Sequence, residues 1–225
     1  MSILGLTGGM LVPIIFALFL NELRVSWFKR TIQTVSYLPH FVSWVVVAGI
    51  VTKMLSTDGG IVNELLITFN IIEQPIQFMA KGTWFWGIVT ISDIWKEMGW
   101  NSIIFIAAMA GVDPQLYEAA KVDGASRWRQ MWHITLPSIR PVIMIIFILS
   151  IGSLISTGFE KQMLLGNNLV KEYSEVLELY ALNYGIGLAR YSYGTAISIF
   201  NSIVSVILLL TANAIYRKIA KESII

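Results

Sequence analysis

The stretch Glu118-Ala-Ala-Lys-Val-Asp-Gly-Ala-Ser-Arg-Trp-Arg-Gln-Met-Trp-His-Ile-Thr-Leu-Pro137 is a long polar island between two apolar runs, each long enough to cross a bilayer. Just ahead of it, Asp113-Pro114 reads as a helix start. The Asp113 carboxylate caps free backbone N–H groups, and Pro114 fits the first turn, where its missing donor costs little. Gln115 to Ala120 is short and helix-favouring. Gly124 then permits a sharp turn, because it takes a positive φ that other residues resist. A second amphipathic turn carries Trp128, Met131 and Trp132 until Pro137 stops it and launches the next apolar run. The spacing predicts a helix–turn–helix lying at a membrane surface with its polar face turned outward.

Composition sets the frame around that island. Hydrophobic residues make up 56% of the chain and charged residues 13%, with a mean hydropathy of +0.69. A soluble domain carries charge on about a quarter of its residues, so the chain reads as an all-α, polytopic membrane protein. The net charge of +2, without a basic run, argues against nucleic acid. The absence of cysteine excludes disulfides and thiolate metal sites, and His40 and His133 are too few for a histidine-built one.

Apolar runs long enough for about 30 Å of hydrocarbon predict spans at about 3–20, 39–55, 84–111, 142–156 and 193–216. Asn21 to Arg24 ends the first, and Lys29 and Arg30 follow in what reads as a short polar loop. Lys53 reads as snorkelling to the interface. The loop 56–82 holds a turn at Asp58-Gly59-Gly60 and an apolar middle, Ile61 to Phe69, suited to a short interfacial helix. The loop 158–192 carries Lys171, Glu172, Glu175 and Glu178, suggesting a partly exposed helix. The remaining loop, 113–140, is the polar island.

Lys and Arg are distributed unevenly between the two sets of loops. Arg24, Lys29, Arg30, Lys121, Arg127, Arg129, Arg140, Arg217, Lys218 and Lys221 lie on one side, against Lys81, Lys161, Lys171 and Arg190 on the other. The excess places the island and the C-terminus in the cytoplasm. Five spans then put Met1 outside.

Glu118-Ala119-Ala120, Asp123-Gly124-Ala125, Ile134 and Leu136-Pro137 resemble the EAA loop of bacterial ABC importer permeases. The likeness extends to Tyr37-Leu-Pro-His-Phe-Val-Ser-Trp44, Trp95-Lys-Glu-Met-Gly-Trp100 and Gly158-Phe-Glu160, which are similar to the oligosaccharide and polysaccharide branch of that family. The resemblance implies the type I ABC importer permease (MetI-like) bundle, whose core has six spans, so the family's first helix is expected to precede Ile3. It also implies a bacterial plasma-membrane complex with a second permease, two ATP-binding subunits and an extracellular solute-binding protein. This chain would bind no cofactor, ATP and Mg lying on the partner subunits. The loop would be the ATPase-coupling element, with Glu118, Ala119 and Ala120 filling a groove on the ATPase and Asp123, Gly124 and Ala125 turning the chain. Arg127 would meet acidic groups there, flanked by Trp128, Leu136 and Pro137. Long or uronic-acid-containing oligosaccharides are the implied substrates.

Asp93, Lys96, Glu97 and Trp100 fall at i, i+3, i+4 and i+7, on one helix face. Charges within a span face a cavity or one another. With Trp95, Asn101 and the outer Glu160, this face is a candidate translocation path with an aromatic plate for a sugar. Alternatively Lys96 pairs with Asp93 or Glu97 and locks helix packing; a proton relay is the third reading. Lys96 and the region of Arg190 would favour an acidic sugar. Ser198, Asn201, Ser202 and Ser205 form a stripe suited to interhelical hydrogen bonds, and His40 reads as a helix-end polar group. Among other classes, an ion-coupled secondary transporter would use Asp93 and Glu97 but leaves the island without a purpose. A membrane-embedded enzyme lacks any catalytic set, and no phosphate-binding loop is present.

Overall fold

The computed structural model describes residues 2–220, with side chains through Lys218; Met1 and Lys221, used in the orientation argument, lie outside the described residues. Every regular element among them is helical. Five helices precede the polar island: α1 (Ser2–Glu22), α2 (Ser26–Phe41), α3 (Trp44–Met54), α4 (Ile61–Thr68) and α5 (Gly82–Ala110). The island holds α6 (Pro114–Val122), α7 (Arg127–Gln130) and α8 (Leu136–Ser138). Beyond it come α9 (Arg140–Gly152), α10 (Glu160–Leu165), α11 (Lys171–Ser174), α12 (Leu177–Tyr180) and α13 (Tyr191–Ala220).

The helices α1 and α13 are each long and apolar enough to cross a membrane. Two broken pairs, α2 with α3 and Arg127–Ser138 with α9, reach that length together. α5 is 29 residues long, but every eighteen-residue window of it contains Asp93, Lys96 and Glu97, which dilutes its apolar character.

Two boundaries differ from the sequence reading. Lys29 and Arg30 sit inside α2 rather than in a loop, and Pro39 belongs to its last turn. The proline has no N–H for the Val35 carbonyl, and the helix ends two residues later at Phe41. Pro137 likewise fails to stop its helix. The turn Met131–Thr135 widens to a π-helix, with the Leu136 N–H bonded to the Met131 carbonyl. That widening accommodates a proline ring that would otherwise collide with the carbonyl four residues back. The break comes at Ile139, where the axis turns by 58° into α9.

The chain forms two compact units. In one, built from Val42–Asp93 and Ser153–Ile207 with the first few residues, Ala48, Phe85, Val89, Leu165 and Val170 form a core. Buried Asn63 pins the loop after α4: its amide donates to the Ser56 and Ile76 carbonyls and its oxygen accepts from the Ile76 N–H. The other unit, from Leu6–Phe41, Ile94–Gly152 and the stretch from Leu208, packs Ile14, Ala17 and Leu18 with Phe105, Met109, Met131 and Ile139. Within it, α5 meets α2 closely at Gly99, where a Cβ would collide with the Ser36 carbonyl.

Candidate functional site

The polar island is built almost entirely from local capping chemistry. Asp113 Oδ1 accepts from the Gln115 N–H at 2.9 Å, and Pro114 occupies the first turn of α6. The far end of α6 closes as a Schellman motif: the Ala125 N–H bonds to the Ala120 carbonyl at 2.8 Å and the Gly124 N–H to the Lys121 carbonyl at 3.1 Å. Gly124 supplies the left-handed conformation this requires, with φ of 72°. Ser126 then caps α7, its Oγ accepting from the Arg129 N–H. Buried Gln130 donates to the Ala125 carbonyl at 2.8 Å, and the Tyr117 hydroxyl meets Thr135 Oγ1 at 2.9 Å, tying α6 to the following turn.

These contacts leave Glu118 and Ala119 exposed on α6, with Asp123 and Gly124 exposed at the turn. Ala120, Ala125 and Leu136 are half-buried, and Pro137 is exposed. Arg127 is turned toward α1, its guanidinium donating to the Glu22 carbonyl and lying 3.6 Å from that residue's carboxylate. The expected amphipathic turn divides. Met131 enters the core, while Trp128 and Trp132 stay outside, edge to face at 5.9 Å. His133 donates from Nδ1 to the Arg129 carbonyl within its own helix.

The charges of α5 find separate partners. Lys96, 5% exposed, donates to Glu97 Oε1 at 3.0 Å and to the His40 carbonyl at 2.7 Å. That carbonyl is in the last turn of α2, where no further helical N–H is available, so the ammonium caps the helix and complements its dipole. Glu97 Oε2 in turn lies 2.7 Å from His40 Nδ1, and the imidazole stacks in parallel on Trp100 at 4.4 Å. Phe41 meets Trp100 edge to face at 5.5 Å. Asp93 takes Lys161 of α10 at 2.9 Å instead of Lys96.

Trp95 is not part of this face. At about 100° per residue it lies roughly 200° around α5 from Asp93, with Trp84 and Ile91, and all three are exposed. Asn101 is exposed beside the Glu97–Trp100 face, and Glu160 is exposed at the start of α10. The serine stripe of α13 is mostly self-contained: Ser198 and Ser202 donate to carbonyls one turn back, and only Asn201 reaches across, to Ser156 Oγ at 3.4 Å. Sequence reasoning missed His40 as the partner of Glu97 and Lys161 as the partner of Asp93. His40 had one signal, its place beside Pro39 in a motif-like stretch; Lys161 had none beyond following Glu160.

This geometry describes a chain that displays a capped helix at one surface and neutralises the charges of α5 with neighbouring groups. The family of binding-protein-dependent transport system inner membrane components matches residues 9–223. The chain belongs to that family. Among relatives of this permease family, the polygalacturonan/rhamnogalacturonan transport system permease protein YteP of Bacillus subtilis is 45% identical over 95% of this chain. Protein LplB of the same organism is 43% identical over 94%. The chain spans 66% of the length of each of these two relatives. A solved bacterial ABC transporter involved in the import of the acidic polysaccharide alginate contains a similar chain. It superposes with a TM-score of 0.91 at 39% identity, over 97% of this chain and 76% of that one. The alginate transporter in complex with an alginate pentasaccharide-bound periplasmic protein gives 0.92 at 38%, over 99% and 77%. The permease fold expected from the sequence is therefore the fold observed.

Proposed function

We propose that this chain is a transmembrane subunit of an ATP-driven importer for oligosaccharides derived from acidic polysaccharides. One observation carries the reading: a helix that exposes Glu118 and Ala119, closed by a Schellman turn at Gly124, in a chain 45% identical to a polygalacturonan/rhamnogalacturonan permease. A second permease completes the path, and a solute-binding protein delivers the sugar outside. Two ATP-binding subunits hold and hydrolyse ATP with Mg. The loop and C-terminus face the cytoplasm, in keeping with the Lys and Arg excess on that side.

In this mechanism α6 docks on an ATP-binding subunit, with Ala119 and Ala120 permitting close approach and Glu118 offering charge. Because Arg127 is engaged with Glu22, its part is to hold α7, which follows the docking helix, against α1. ATP binding favours one of two states of the complex and sugar release the other; only such differential binding moves the equilibrium. The path runs along the α5 face of Asp93, Glu97, Trp100 and Asn101. Both carboxylates sit against lysines, so neither favours an ion-coupled alternative.

The test is a reconstituted complex carrying Glu118→Lys or Gly124→Pro. Each variant is expected to insert and to assemble with the second permease, yet to lose the ATP-binding subunits and uptake. Normal ATP-driven uptake by both variants overturns the coupling role. Uptake that collapses with an uncoupler while ATP is maintained overturns the importer.

A further inference from the structure

Lys96 and Lys161 each pair with a carboxylate, and they are held in different ways. Lys96 caps the end of α2 while pairing with Glu97, so removing it from either partner undoes a helix terminus. Lys161 holds a carboxylate, Asp93 Oδ2 at 2.9 Å, with the lysine side chain 15% exposed and the aspartate 33%. Its ammonium lies 5.9 Å from the centre of the Trp44 ring. The next residue, Gln162, is fully buried and anchors α10, while Glu160 before it is exposed. Trp44, Asp93, Glu160, Lys161 and Gln162 all belong to one compact unit.

We propose that Lys161 and Trp44 form a binding position for an acidic sugar residue, with Lys161 taking the sugar carboxylate and Asp93 holding the lysine between substrates. This deepens the importer reading above and rests on it. The chemistry is an exchange of one carboxylate for another. A half-buried ammonium stripped of its counter-charge is strongly unfavourable, but a uronate replaces Asp93 without leaving Lys161 uncompensated. The released Asp93, a third exposed, regains water. A neutral sugar presents only hydroxyls and has no charge with which to displace it. Trp44 supplies an apolar ring against which a pyranose packs, the usual division of labour between aromatic walls and a few polar groups in small-molecule sites. Selection for acidic sugars thus lies at Lys161 rather than Lys96.

The structural alternative, an ion pair that only fastens α10 to α5, makes a different prediction about sign. The experiment measures equilibrium binding of labelled tetragalacturonate to the purified membrane complex in nanodiscs, without the solute-binding protein, with uptake into proteoliposomes measured in parallel. Lys161→Gln is expected to weaken binding at least about tenfold, the scale of one hydrogen-bonded charge contact. Lys161→Arg retains most of it. Asp93→Asn, which leaves the lysine without its competitor, is expected to strengthen binding several-fold. If Lys161→Gln and Asp93→Asn shift binding in the same direction, the inference is overturned and the pair is a fastener. A wild-type complex that takes up an oligosaccharide but binds no tetragalacturonate overturns this inference alone. A complex that takes up neither tetragalacturonate nor a neutral tetrasaccharide removes the importer reading and this inference with it.

Discussion

Between Asp113 and Pro137 most of the contacts that shape the backbone are made within six residues, whereas the charges of α5 reach partners far along the chain, His40 and Glu97 being 57 residues apart. The first region is written in caps. An aspartate before a proline, a glycine after an alanine-rich turn and a serine before the next turn each satisfy backbone groups nearby, whatever the rest of the fold does. The second region is written in burial. Apart from the contact between neighbours Lys96 and Glu97, its groups are held by what other helices bring to them: a carbonyl, an imidazole or an opposite charge. A motif of the first kind survives changes in its surroundings; one of the second kind reports on them.

That contrast orders the expected effects of substitution. Lys96→Met is expected to be the most damaging, leaving Glu97 without its cation and the His40 carbonyl without its cap. A loss of about 3 kcal/mol would appear as a large drop in the thermal midpoint of the purified complex. Adding Glu97→Gln should recover part of it, and a double variant no better than the single one breaks the argument from burial. Gly124→Ala comes next. No atom lies within 4 Å of the added Cβ, so its cost is conformational alone. That cost is about 1–2 kcal/mol, read as reduced coupled ATP hydrolysis with assembly intact.

Tyr117→Phe removes one hydroxyl contact with Thr135 and is expected to cost about 1 kcal/mol in the same thermal assay. Arg127→Gln should be smallest, at no more than about 0.5 kcal/mol, because an exposed ion pair contributes little. If Arg127→Gln proves more damaging than Lys96→Met, the distinction between the two regions fails. High salt sharpens it, since screening should erase the Arg127 effect and leave that of Lys96.

The same contrast explains what was legible in the sequence. Asp113, Pro114 and Gly124 announced their roles because a cap is a relation between neighbours. The common face of Asp93, Glu97 and Trp100 was legible too, since it follows from helical spacing. Of their partners only the adjacent one was legible, Lys96 beside Glu97: the choice of Lys161 over Lys96 for Asp93 depends on where α10 packs, and periodicity within α5 carries no information about that. Trp95 was grouped with the polar face by proximity in sequence, although a two-residue step crosses to the other side of a helix. Pro137 misled for a related reason. A proline ends a regular α-helix, but the preceding Met131–Thr135 turn is not regular.

That wide turn also alters what a change in length would mean. A helix that takes one residue more per turn carries the equivalent of an insertion, so faces drawn through it with an unbroken period fall out of step by one position. Deleting a single residue between Met131 and Thr135 would close the turn to ordinary α-geometry and shorten the helix only slightly. The same deletion would leave Arg127 and Trp128 aimed almost as before relative to Ile139, because the residue removed is the one the wide turn had absorbed, and the arginine would stay beside Glu22. In this segment one residue of chain length is taken up locally, whereas a deletion within a regular α-helical stretch would rotate everything before it by about 100°.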